Sequence, residues 1–367
     1  MIQPPEHIKS IKPYVPGKPV EELERELGIS DPVKLASNEN PAGPSPMAIK
    51  ALRKGVADLN RYPDGDCYYL RDALAVRLGI NGNELIFGNG SNEIIELAVR
   101  TFMGPGDEAV MAHPSFVVYS MIVQAVKGKN IIVPLKNAKH DLDAMASAIT
   151  DRTRIIFIAN PNNPTGTINT AAEMDAFMKR VPDDVLVVVD EAYYEYVSSP
   201  EYADSMKYFR QERDILILRT FSKIYGLSGL RIGYGISKAG IVSEMNRIRQ
   251  PFNVNSLAQR AALAALDDRK HIERSRGINE RGKKYIYKGL KSLGISFVPT
   301  EANFVFMTFE NDIAAELYEE LLKQGVIIRP MGPRAIRVTI GLARRENKRF
   351  IEALRGVWEA RGRNFLS

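Results

Sequence analysis

The sequence predicts an α/β fold: a large domain with a mostly parallel sheet sandwiched by helices, followed by a smaller α+β domain. Three observations predict it. In the middle of the chain, short β-branched runs alternate with amphipathic segments, the pattern of strands buried on both faces by crossover helices. The residues of greatest chemical character stand directly after those runs, where open α/β sheets bind ligands outside the carboxyl ends of their strands. Beyond about residue 240 the alternation gives way to long helices and a second set of short strands.

Residues 1–40 hold no core of their own and are expected to pack on the second domain; 41–250 form the large domain and 251–367 the small one. The apolar run LIF at 85–87 predicts a strand, and GNGSNE at 88–93 turns it into a helix over 92–102. Further strands are expected at 109–112, 131–133, 155–159, 185–189 and 215–218, with a helix over 170–181 between them. Beyond about residue 240, helices are expected over 241–250, 256–266 and 275–293. They lead to a strand in NFVFMTF at 303–309, a helix near 312–323, strands at 326–328 and 335–340, and a last helix over 345–360.

Composition narrows the function. The chain has 367 residues, of which 45% are hydrophobic and 26% charged, so it is long enough for two cores and ordinary for a globular protein. No apolar run approaches the roughly 20 residues of a membrane span, and the proline-rich start lacks a secretory pattern, so a cytoplasmic location is expected. One cysteine, Cys67, and four scattered histidines indicate neither a disulfide nor a metal site. The net charge is +6, but 50 basic and 44 acidic residues are interspersed without a dense basic tract, so nucleic acid is not expected as a partner.

Lys223 in RTFSKIYGLSGLRIGYG is the centre of the chemistry. It follows the strand at 215–218 and is flanked by Thr220, Ser222 and Arg231, two hydroxyls and a guanidinium suited to an anionic phosphate. Nearby cations lower a lysine's pKa and make its amine more nucleophilic toward an aldehyde. The start of the helix after GNGSNE offers the backbone N–H groups of Ser91 and Asn92 to an anion, although taken alone the turn reads as a plain helix cap rather than a phosphate site. Asp190 closes the run VLVVV at the sheet's carboxyl edge, where a buried carboxylate needs a partner such as a protonated pyridine nitrogen. Tyr193, three residues on, and Asn163 of NNPTG are placed to reach the ring's phenolic oxygen. In the second unit, GVIIRP and AIRVTIG each set an arginine, Arg329 and Arg337, at the edge of a short strand; a bidentate arginine suits a substrate carboxylate, and Arg337, inside an apolar alternation, suits it better. Together these residues indicate a pyridoxal-phosphate enzyme.

The set resembles the fold-type-I pyridoxal-phosphate aminotransferases, and within them the histidinol-phosphate aminotransferase family. The motifs that carry the likeness run from KPYVPGKP and LASNENP through NRYPDGD, GNGSNEIIE, NPNNPTG and VVVDEAYYEY to NFVF, GVIIRP and IRVTIG, nearly the whole chain. The resemblance implies that Lys223 covalently holds pyridoxal 5'-phosphate, that Asp190 binds its pyridine nitrogen, and that Tyr193 and Asn163 bind its phenolic oxygen. It implies that Ser91, Asn92, Thr220, Ser222 and Arg231 hold the phosphate, with Phe116 of HPSF stacked on the ring. Tyr62 would reach the phosphate of a partner subunit, which makes the family homodimeric with shared sites. Arg337 would bind an α-carboxylate, and Tyr14, Asn40 and Arg329 the rest of the substrate. The implied reaction is transamination of L-histidinol phosphate with 2-oxoglutarate, giving imidazole-acetol phosphate and glutamate, in histidine biosynthesis. The same scaffold also serves aromatic amino acids and decarboxylation of phosphorylated amino acids. The segment PMGPRAI between Arg329 and Arg337 is shorter than the family's usual Gly-rich loop and borders the substrate end.

Overall fold

A computed structural model describes residues 2–366. The short β1 (Val33–Lys34) comes first, then the strands of a seven-stranded sheet: β2 (Leu85–Gly88), β3 (Glu108–His113), β4 (Lys129–Pro134), β5 (Thr153–Ala159), β6 (Leu186–Asp190), β7 (Ile215–Thr220) and β8 (Gly233–Ile236). Their order is β2-β8-β7-β6-β5-β3-β4; β8 runs antiparallel to both its neighbours and the remaining pairs are parallel. Successive side chains of a strand point to opposite faces. Accordingly Ile156, Ile158, Val187, Val189 and Ile217 enter one core, whereas Ile155, Phe157, Val188 and Leu216 enter another on the far side. This two-sided burial is why the strands read as unbroken apolar runs. The crossover helices start where local chemistry allows. Thr170 and Glu173 form a capping box on Ala171–Met178, satisfying two otherwise orphaned N–H groups.

The second sheet comprises β9 (Phe297–Val298), β10 (Phe304–Thr308), β12 (Arg329–Pro330) and β13 (Ala335–Thr339), antiparallel in the order β12-β13-β10-β9. The remaining strand, β11 (Val326–Ile327), pairs in parallel with β1. The N-terminal segment thus joins the second unit, and Leu23 of the helix Val20–Leu27 packs there with Leu322 and Ile327. The same segment also reaches the large sheet's side, where Ser10 Oγ accepts from Gln124 Nε2 at 2.7 Å.

One grouping differs from the sequence pattern. The helix Ser256–Leu266 falls beyond residue 250, yet Ala258, Ala261, Ala262, Ala265 and Leu266 are buried in the core of the large sheet. Its alanines allow close approach to the helix Pro46–Gly55, where a Cβ on Gly55 would stand 3.1 Å from Leu257. The changeover occurs along the 24-residue helix Arg269–Ser292, whose Ile286 and Leu290 belong to the second core. Among the described residues no helix is long and apolar enough to cross a membrane, and no cluster of metal-ligating side chains occurs.

Candidate active site

The carboxyl ends of β5, β6 and β7, the start of the helix after β2, and β13 converge on one cavity of about 270 Å³. Tyr14, Ser91, Asn92, Phe116, Asn163, Asp190, Tyr193, Thr220, Ser222, Lys223, Arg231 and Arg337 all line it, so most of the residues singled out in the sequence meet in space.

One end is built for an anion. The helix Ser91–Phe102 opens at Gly90, whose φ of 83° suits a residue without Cβ. A Cβ there would collide with the Arg231 guanidinium, and one on Gly233 would lie 2.6 Å from Ser91 N. Glycine at these two points lets the arginine and β8 close on the helix start, where first-turn N–H groups lack helical partners and the dipole favours negative charge. Arg231 donates through Nη1 to Ser228 O at 3.1 Å, with Ser222 Oγ at 3.5 Å; Ser222 N donates to Thr220 Oγ1 at 3.1 Å.

At the floor, Asp190 ends β6 and is 6% exposed. Tyr119 Oη donates to its Oδ2 at 2.8 Å and Ala192 N to its Oδ1 at 3.1 Å. Burial raises the carboxyl's pKa, and these two donors pull the other way. Tyr119 is held by stacking on Phe157, with ring centroids 4.6 Å apart and planes at 7°, while Phe116 meets it edge-on at 5.5 Å.

Lys223 faces this floor. Its Nζ lies 3.4 Å from Ser37 O and 5.6 Å from the centre of the Tyr193 ring. Burial, with Arg337 and Arg231 nearby, lowers the ammonium to about 8, against the pull of Glu39 and Asp190. An amine so perturbed gives up its proton more readily than an ordinary lysine, and the free base is nucleophilic toward an aldehyde. At the other end, Arg337 on β13 donates Nη1 to Asn163 Oδ1 at 2.6 Å and Nη2 to Ala36 O at 2.7 Å. Its Nε is buried without a protein partner.

Three expected residues lie elsewhere. Asn40 does not line this cavity: its Nδ2 donates to Ile224 O at 2.6 Å and Ser275 Oγ at 2.9 Å, and its Oδ1 accepts from Ala42 N. Tyr62 is 85% exposed and stacks on Phe252 at 4.9 Å, away from this chain's cavity. Arg329 does not line the cavity but sits over the Tyr14 ring at 5.2 Å, opposite Arg337 in the β12–β13 ladder. Conversely, Tyr119 and Asn38 are contacts that sequence reasoning missed. Tyr119 stands three residues after Phe116 on a helical turn, and Asn38 lies within LASNENP, the one local signal for it.

A lysine of lowered pKa, a buried carboxylate, an aromatic wall and an anion-binding helix start fit a group that combines an aldehyde, a basic ring nitrogen and a phosphate. Comparison with known proteins accords with that geometry. The model of the aminotransferase class I and II family matches residues 30–354. The histidinol-phosphate aminotransferase of Moorella thermoacetica is 53% identical over 96% of this chain and 92% of its own length. The chain belongs to the histidinol-phosphate aminotransferases of the class I and II aminotransferase family. The corresponding enzyme of Methylobacillus flagellatus is 48% identical over 97% of this chain and 98% of its own. Among solved structures, the histidinol-phosphate aminotransferase of Sinorhizobium meliloti in complex with pyridoxal-5'-phosphate superposes with a TM-score of 0.89 at 26% identity, covering 97% of each chain. The expected fold-type-I architecture is borne out by these relatives and by the seven-stranded sheet.

Proposed function

We propose that this chain catalyses transamination between L-histidinol phosphate and 2-oxoglutarate, yielding imidazole-acetol phosphate and glutamate, with pyridoxal 5'-phosphate as cofactor. The observation that carries the reading is the convergence of Lys223, Asp190 and the Arg231 anion site in one cavity of a chain matched over nearly its full length by histidinol-phosphate aminotransferases.

The bound cofactor supplies an electron sink that stabilises negative charge at the substrate's Cα. Everything else falls to the protein. Arg231, Ser222, Thr220 and the helix N–H groups of Ser91 and Asn92 would hold the phosphate, and Phe116 would cover the ring. Asp190, whose carboxylate accepts from the Tyr119 hydroxyl and the Ala192 N–H, would pair with the protonated ring nitrogen. Tyr193 and Asn163 would donate to the phenolic oxygen. Lys223 Nζ, its pKa lowered to about 8, would as the free amine take the proton from Cα and deliver it on the way to product. Arg337 would receive the α-carboxylate of glutamate or 2-oxoglutarate, and Tyr14 with Arg329 the distal phosphate of histidinol phosphate.

A homodimer with composite sites and a cytoplasmic location complete the proposal. The exposure of Tyr62 together with Leu59, Tyr68, Tyr69 and Val76 supports a partner subunit covering that face. The single, buried Cys67 accords with a reducing compartment. The test is Lys223→Ala: turnover and the absorbance of lysine-bound cofactor are both expected to vanish, and a variant that keeps both would sink the assignment.

A further inference from the structure

The role argued here for Asn38 rests on the proposed function, in which Tyr193 is one of two donors to the cofactor's phenolic oxygen. The Tyr193 hydroxyl is held from behind. Asn38 Nδ2 lies 2.9 Å from Tyr193 Oη, and an amide nitrogen can only donate. The phenol therefore accepts at that contact, and its own proton must be directed elsewhere. Tyr193 lines the cavity with its ring fixed edge-on to Phe304 at 5.1 Å.

The orientation of the Asn38 amide is set independently. Its backbone N–H donates to Thr339 Oγ1 at 2.9 Å, and the Thr339 hydroxyl donates back to Asn38 Oδ1 at 3.3 Å. Asn303 Nδ2 donates to the Asn38 carbonyl at 3.0 Å. Backbone and side chain are thus all engaged in a residue 1% exposed. Its φ of 55° is left-handed, a region asparagine tolerates better than most L residues. The second donor has the same anchor. Asn163 gives its amide oxygen to Arg337, which lies on β13 two residues before Thr339 and on the same strand face, leaving the amide nitrogen to donate.

We infer that Asn38 is a positioning residue that makes Tyr193 a directed hydrogen-bond donor to the cofactor, and that β13, through Thr339 and Arg337, sets both phenolic-oxygen donors together. The titratable groups around Tyr193 are Asp190, Lys223, Arg337, Tyr14, Tyr119 and Tyr196. Burial pushes the phenol up to about 12, while Arg337 and the Asn38 bond draw it down. A phenol that already accepts an N–H is the stronger donor. It stabilises the anionic form of the cofactor's oxygen and lowers the pH at which the lysine-bound cofactor changes absorbance.

The experiment is a pH titration of that absorbance in the holoenzyme, for wild type, Tyr193→Phe, Asn38→Asp, Asn38→Gly and Thr339→Val. Tyr193→Phe removes the donor and gives the reference upward shift. Aspartate keeps the shape but, where ionised, donates nothing and raises the midpoint by its charge as well, so glycine, which keeps the left-handed backbone without strain, is the deciding variant. Both are expected to raise the midpoint by about 0.5–1 pH unit, with a smaller rise for Thr339→Val. A merely structural role for Asn38 predicts that glycine titrates like wild type. The inference is overturned if Tyr193→Phe shifts the midpoint while Asn38→Gly stays within about 0.2 pH unit of wild type, well below the shift one hydrogen bond gives. If wild type shows no lysine-bound cofactor absorbance at any pH, the cofactor reading itself fails; if it shows that absorbance without a pH-dependent change, the inference about Asn38 fails alone.

Discussion

Replacing Arg337 by methionine removes a fork whose free capacity can be counted. A guanidinium carries five N–H donors. Two are spent, on Asn163 Oδ1 at 2.6 Å and Ala36 O at 2.7 Å, and the buried Nε–H has no protein partner. A substrate carboxylate can therefore take two of the remaining three. Hydrogen bonds to charged groups are worth about 1.5–3 kcal/mol each, so the pair contributes about 3–6 kcal/mol, or about 10²–10⁴ in kcat/KM. The assay is the half-reaction with glutamate, followed by stopped-flow absorbance of the bound cofactor. Arg337→Lys keeps the charge without the planar fork and should recover only part of the loss. Burial lowers the Arg337 pKa, a sign that the charge is costly to hold there, so relief of that cost partly offsets the bonds lost and the variant should remain folded. A fall of less than about threefold in kcat/KM for Arg337→Met would refute the assignment of Arg337 to the carboxylate, because one charged hydrogen bond alone exceeds it.

Tyr119→Phe keeps the stacking on Phe157 but withdraws the 2.8 Å donor from Asp190; an unfolding free energy lower by about 1–3 kcal/mol is expected in urea titrations of the cofactor-free protein. Asp190→Asn should lower kcat by about 10²–10³, the scale for removing one preorganised electrostatic group, with loss of cofactor affinity in equilibrium dialysis. The lowered pKa of Lys223 makes cofactor-free stability depend on pH. Below about 8 both folded and unfolded chains hold the lysine's proton; between about 8 and the ordinary 10.5 only the unfolded chain does, so this residue's contribution to stability rises with pH across that window. The difference between wild type and Lys223→Met in denaturant titrations at pH 7.5 and 9.5 should show that rise, and equal differences at the two pH values would contradict it.

Much of the fold and the site is legible in the sequence, for physical reasons that also explain what is not. Strands buried on both faces announce themselves as apolar runs, and ligands bind at their carboxyl ends, so Asp190 and Lys223 stand out by position. Tyr119 and Asn38 act by hydrogen bonds to residues 71 and 155 positions away, partners that spacing along the chain does not specify even though Asn38 stands in LASNENP. Asn40 carries the right chemistry for a ligand, yet its amide nitrogen ties the N-terminal segment to Ile224 and Ser275 outside the cavity lining. The helix Ser256–Leu266 groups with the wrong unit in the sequence pattern because an alanine-rich face looks the same whichever core receives it.

The most direct test of the proposed activity is a side-by-side measurement of kcat/KM for histidinol phosphate, phenylalanine and tyrosine, each with 2-oxoglutarate, on the holoenzyme. Histidinol phosphate is expected to lead by at least about tenfold, the equivalent of about 1.4 kcal/mol in transition-state binding, with glutamate formed one for one. Equal or higher kcat/KM for phenylalanine, or release of carbon dioxide without amino transfer, would contradict the account.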